Sequence, residues 1–262
     1  MRIRLPGFSL PQAWRAVLLK VFGDVASFRT ASVPMQAYLL HRNGLAPGAG
    51  VGLMTLEYVF HKLSILLYAT AMLLLQYRWL LEARPELTGY LLPACGVIAL
   101  IITALVLVCT WRRVQRAALW CVGRLPNSEK WAGRKKKLRD QLEALYTESQ
   151  ALLRDRPRCG KVLALNAVKL FVLFSIPYVC MEVLEVPGPA FGQMQLLTAL
   201  MFLITSVLPN VAGVGPAEFA FLLIFSPCVG EPAAALALVL YRAATYYAPF
   251  LVSALSFCTI HI

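Results

Sequence analysis

The sequence predicts an all-α polytopic membrane protein with about four to six membrane helices, two of them a broken or re-entrant pair near residues 193–228. Three observations carry this. Hydrophobic residues fill 59% of the 262 positions, against about 45–50% in soluble domains, and the mean hydropathy is +0.67. Several runs approach the ~20 apolar residues that cross a bilayer. Towards the C-terminus, Pro209, Gly213, Gly215 and Pro216 separate two apolar segments, each short for a span.

Residues 1–50 read as an amphipathic N-terminal segment. Trp14, Val17, Leu18, Val21, Phe22, Val25 and Phe28 recur at helical spacing, with Arg15, Lys20 and Asp24 off that stripe. Such a helix either lies in the membrane interface, apolar face down, or packs on the rest of the protein. The N-terminus is basic but lacks the clean apolar core of a signal peptide.

Residues 51–110 read as a two-helix membrane hairpin. The first span covers 51–75 and the second 90–110, with a charge-balanced loop at 76–89 holding Arg78, Glu82, Arg84 and Glu86. Residues 111–161 read as a basic cytoplasmic loop around Arg134-Lys135-Lys136-Lys137. Inside it, Leu138, Leu142, Leu145 and Leu152 predict a short amphipathic helix beginning near Ser128, closed by Pro157 and Gly160.

Residues 162–262 read as membrane helices around a Pro/Gly-broken motif. A third span covers 162–181, short apolar pieces cover 193–208 and 217–225, and a full span covers 233–257.

The net charge of +12 is concentrated in 111–161. A basic run can mark nucleic-acid binding, but in a chain this apolar it marks a cytoplasmic loop obeying the positive-inside rule, with contact to anionic headgroups as a further role. No direct nucleic-acid partner is expected. The 76–89 loop then lies outside and the basic N-terminal segment inside. The seven cysteines are scattered without a C-x-x-C pair. They read as small core residues, and no metal site, disulfide framework or cofactor is expected.

The stretch PNVAGVGPAEFAFLLIFSP, residues 209–227, combines helix breakers with a carboxylate. Open backbone in hydrocarbon leaves peptide groups unsatisfied, so it survives only when buried in protein or lining a polar cavity. Pro216 suits the first turn of a helix, whose N-terminal N–H groups favour a phosphate. Glu218 falls in that turn. Arg242 lies in the middle of the last span, where burial costs at least about 2.5 kcal/mol, so it is expected to face the bundle interior. Two readings stay open. Glu218 and Arg242 line a functional cavity, or they serve structure, Glu218 closing its helix start and Arg242 pairing with Glu218 or Glu182. Tyr241, Tyr246 and Tyr247 offer either hydroxyls or packing. Glu57 and His61, spaced i, i+4, form a proton relay or an interfacial polar patch. Lys169 is a further polar candidate in the third span.

Two segments resemble a known family. PMQAYLLHRNGLAPGAGVGLMTLEYVFHK, residues 34–62, is similar to a segment with Pro-Met-Gln, an aromatic run and a basic-Gly turn. LPNVAGVGPAEFAFLLIFSP followed by ALVLYRAATYYAPFL resembles a Pro…Gly-x-Gly-x-x-Glu stretch and a later arginine in an aromatic final helix. Both are features of the transmembrane flippase part of the lysylphosphatidylglycerol synthase family. The resemblance runs from about residue 30 onward and implies substrate-binding roles for Pro209, Gly213, Gly215, Glu218, Arg242 and Tyr246. It departs at Ala217, where many members carry an arginine, and the chain reads as an N-terminally short member.

The resemblance implies a flippase-like protein of the bacterial plasma membrane that handles anionic or aminoacylated phospholipids, (lysyl-)phosphatidylglycerol in particular. Display of a cationic lipid would resist cationic antimicrobial peptides. Family naming also implies phosphatidylglycerol lysyltransferase activity, but no acyltransferase domain is visible, so that reading needs a synthase partner. A non-transporting family member is the third reading, and a homo-oligomer fits any of them.

Overall fold

The computed structural model describes residues 10–26, 40–42, 44, 47–83, 111–123, 155–207 and 215–260, with scattered helical positions within 96–107 and 139–150. Among these residues every regular element is helical. In chain order they are α1 (Leu10–Ala26), α2 (Pro47–Ala83), α3 (Arg112–Gly123), α4 (Arg156–Val183), α5 (Phe191–Val207), α6 (Pro216–Val229), α7 (Glu231–Arg242), a π turn (Ala243–Tyr247) and α8 (Ala248–Ile260). Among the described residues, three stretches are long and apolar enough to cross a membrane: Leu56–Glu82, Arg156–Val183 and Glu231–Ser256. Large apolar side chains along them, among them Leu74, Leu165, Val239 and Leu255, point outward. Helices apolar all round, with their outer faces uncovered, belong in lipid. The chain is an all-α membrane protein.

The core forms around α5. Met194, Leu196, Leu197, Ala199, Leu200, Met201 and Leu203 are all buried, so this short helix is enclosed on nearly every side. Phe174 and Leu170 of α4, Ile65 and Ala69 of α2, Phe221, Ile224 and Phe225 of α6 and Ala234 and Ala237 of α7 pack into the same cluster. Paired contacts fix the directions. Tyr178 meets Phe191 edge-on at 5.2 Å, while Phe174 meets Phe202 at 5.0 Å, so α4 and α5 are antiparallel. Lys62 reaches Ser206 and Tyr68 reaches Gln195, so α2 is antiparallel to α5 as well. Gln195 ties the three helices together. Its Oε1 accepts from the Tyr68 hydroxyl at 2.9 Å, and its Nε2 donates to Ser175 Oγ at 2.8 Å and to the Phe171 carbonyl at 3.2 Å. A buried amide with each of its polar atoms engaged orients helices that apolar packing alone would let rotate.

Several boundaries differ from expectation. The first span continues through the predicted 76–89 loop as far as Ala83, kinked at Gln76 (φ −112°, ψ 15°). Arg78 and Glu82 do not end it, because they are spaced i, i+4 on an exposed helix face. The helix begins at Pro47, inside the segment assigned to the N-terminus. The predicted basic loop contains α3 and the first turns of α4. Pro157 opens α4 rather than closing the preceding segment, with Asp155 as N-cap accepting from the Arg158 N–H at 3.2 Å. Most of the predicted 90–110 span, the Arg134–Lys137 run and the helix start at Ser128 lie outside the described residues.

The N-terminal segment is helical, as its periodicity predicts. It packs against α8, where Phe22 stacks on Phe250 with ring centroids 6.2 Å apart. Trp14 and Val17, on the predicted apolar stripe, remain exposed, while Ala16 is buried.

Candidate functional site

The broken segment resolves into α5, an interval at 208–214 outside the described residues, and α6. Pro209 and Gly213 fall in that interval. Gly215 sits at the N-cap of α6 with φ +99°, a left-handed conformation that favours glycine. An added Cβ would meet nothing within 4 Å, so glycine is needed for its backbone angle and not for space. Pro216 takes the first helical position, as expected.

Glu218 carries two jobs at once. One carboxylate oxygen, Oε2, accepts the Gly215 N–H at 2.6 Å and closes the helix start. The other, Oε1, forms an ion pair with Arg242 Nη2. The two side chains are 27% and 13% exposed, so the pair is largely withdrawn from solvent. Both structural roles open from the sequence are therefore filled, and the partner of Arg242 is Glu218. Glu182 is exposed at the end of α4.

The pairing follows from local geometry. α6 and α7 form an antiparallel hairpin about Gly230, another left-handed glycine at φ +84°. Phe221 faces Tyr241 across the hairpin at 5.3 Å, which places Glu218, one turn earlier, opposite Arg242. Gly188, in the connection after α4, sits beside Val229 at the hairpin's turn.

Arg242 ends α7, and a π turn follows it directly. The Ala248 N–H donates back to the Ala243 carbonyl, one residue further than in an α-helix. Pro249 supplies a physical cause: it has no N–H for the Thr245 carbonyl, and its ring crowds that carbonyl, so the preceding turn widens. Tyr246, at i+4, lies under Arg242, with the guanidinium carbon 5.4 Å from the ring centroid. Tyr246 thus offers its ring face to the cation. Tyr247 meets Tyr246 edge-on at 5.3 Å, and Tyr241 is buried.

The structure brings together Gly215, Glu218, Arg242 and Tyr246. Other polar candidates lie elsewhere. Glu57 and Lys169 are exposed and His61 is half-buried. Sequence reasoning did not single out Lys62, whose ammonium donates to Ser206 Oγ at 2.6 Å and lies 5.4 Å from the Tyr58 ring centroid. This contact ties α2 to the last turn of α5, just before the break. Its partners are 144 positions apart, so no local pattern could reveal it.

A sequence profile of the family described as lysylphosphatidylglycerol synthase TM region matches residues 7–253. No curated protein and no solved structure matches the chain.

Proposed function

The chain belongs to the lysylphosphatidylglycerol synthase TM-region family, and from that premise we propose that it is a multi-pass, flippase-like protein of the bacterial cell membrane that moves lysyl-phosphatidylglycerol between leaflets. The observation that carries the reading is the Glu218–Arg242 pair at the start of a half-length helix beside the Pro/Gly break. Depth supports it. Glu218 and Arg242 each lie about 18 Å of helix from the Gly230 turn. Exposed Glu231 flanks that turn, and exposed Glu182 and Glu185 close α4. If this acidic end lies at one membrane surface, the pair sits near the middle of the ~30 Å hydrocarbon layer. The opposite end of α4 carries exposed Arg156, Arg158 and Lys161, which fits a cytoplasmic placement.

The chemistry fits a headgroup that carries both signs. Lysyl-phosphatidylglycerol presents ammonium groups and a phosphate. A headgroup that carries both signs can enter an apolar interior by exchanging partners with an existing ion pair. Glu218 takes an ammonium, and Arg242, with its planar fork of donors, takes the phosphate. The Gly215 N–H, released by the carboxylate, is then free for a phosphate oxygen at the positive end of α6. Glu218, Arg242, the phosphate and one ammonium each keep a partner throughout, which avoids the ~2.5 kcal/mol or greater cost of leaving either protein charge alone in the membrane. Cationic lipid in the outer leaflet lowers its negative surface potential and weakens adsorption of cationic antimicrobial peptides.

The test is translocation in proteoliposomes. Fluorescent phosphatidylglycerol and its lysyl ester are compared by quencher access to the outer leaflet, with Glu218→Gln alongside. The proposal expects selective movement of the lysyl lipid, lost in the variant. Equal movement of both lipids, unaffected by Glu218→Gln in folded protein, would overturn it.

A further inference from the structure

A second feature stands apart from the Glu218–Arg242 pair and does not depend on transport. Helix α3 places Arg112, Arg116 and Trp120 on one ridge at i, i+4, i+8, with Arg113 beside them. All four side chains are exposed, as is Trp111 at the helix start. Val114 and Leu119 are half-buried and Gln115 is buried, so the helix has an inner side and an outer side. The outer side is the basic one.

The chain fixes where this face stands. The Trp111 N–H donates to the Leu107 carbonyl at 2.8 Å, so α3 leaves directly from the preceding helical turn. In that turn Val106 packs with Leu56, Val59 and Phe60, together with Cys159, Val162 and Leu163 at the start of α4. That is the end of the bundle where Arg156 and Lys161 are exposed. Arg112 follows Val106 by six positions, so the basic face of α3 starts close to that apolar cluster.

We infer that the Arg112–Arg113–Arg116–Trp120 face of α3 docks on anionic phospholipid headgroups at the basic end of the bundle. Guanidinium groups pair with lipid phosphates, and a tryptophan beside them sits well at the boundary between headgroups and acyl chains. A mixed arginine–tryptophan face also suits RNA. Tethering within two turns of a membrane segment favours the lipid surface, which is already within reach.

The experiment uses the full chain in neutral detergent–lipid micelles. Quenching of Trp120, taken as wild type minus Trp120→Phe, is titrated with brominated phosphatidylglycerol and with brominated phosphatidylcholine. The ratio of the two association constants should favour the anionic lipid and fall with added salt. In Arg112→Gln/Arg113→Gln/Arg116→Gln it should drop on the order of a hundredfold, the product of roughly fivefold per arginine. If the triple variant does not fold, Arg116→Gln alone should show the fivefold step. An unchanged ratio in the arginine variants, or salt-sensitive binding of a labelled RNA oligonucleotide without lipid quenching, would overturn the assignment.

Discussion

Replacing Glu218 by Gln separates the two jobs of that side chain. The amide oxygen can still accept the Gly215 N–H, so the helix start stays closed. The charge is gone, and Arg242 is left with a side chain only 13% exposed. Breaking a buried ion pair by removing one partner costs about 3–5 kcal/mol. Glu218 is 27% exposed, so some water reaches the site, and the lower end, about 3 kcal/mol, is expected. At about 2–4 °C per kcal/mol for a chain of this size, the unfolding midpoint should fall by about 6–12 °C. Glu218→Ala should cost about 1 kcal/mol more, because the cap is lost too. Glu218→Met/Arg242→Met, which removes both charges and keeps the volume, should recover part of that loss and end about 1–2 kcal/mol below the parent, because the cap and the Arg242–Tyr246 contact go with the charges. Thermal unfolding in mild detergent, followed by size exclusion and tryptophan fluorescence, gives the full double-mutant cycle. The reasoning fails if the single substitutions shift the midpoint by less than about 2 °C, or if their effects simply add in the double variant.

Three further outcomes are expected. Gly215→Ala should destabilise by about 1–2 kcal/mol in the same unfolding assay, since its φ of +99° is strained for any residue with a Cβ even in open space. Tyr246→Leu should lose about 1 kcal/mol, because Arg242 faces its ring. Ser206→Ala should cost about 1–2 kcal/mol by removing the acceptor that holds Lys62, and Lys62→Met/Ser206→Ala should recover part of that, as read by the same midpoint.

The helices were legible in the sequence because their apolar runs are long enough to leave few alternatives. The site was legible for a different reason. Glu218 and Arg242 are costly where they stand, so each demanded a partner. What the sequence left open was which partner. Glu182 and Glu218 were both eligible, and the choice depends on the tight α6–α7 turn at Gly230, a long-range consequence of one left-handed residue. The π turn carried a local sign in Pro249, but the sequence does not say which part of Tyr246 meets Arg242. Tyr246 therefore read as a hydroxyl donor as readily as a ring. The extension of α2 past Gln76 was hidden because Arg78 and Glu82 look like loop charges, although their spacing suits an exposed helix face equally well. The Lys62–Ser206 contact joins residues whose proximity follows only from the packing of α2 on α5.

The most direct test of the central claim is lipid translocation by the apolar double variant, Glu218→Met/Arg242→Met, in proteoliposomes. Its stability should fall only about 1–2 kcal/mol below wild type, so a loss of rate in protein shown to be folded cannot be ascribed to misfolding. The account predicts that movement of lysyl-phosphatidylglycerol is abolished, because neither charge remains to accept the headgroup. Transport of that lipid at the wild-type rate would contradict it and leave the ion pair as a device that only joins α6 to α7.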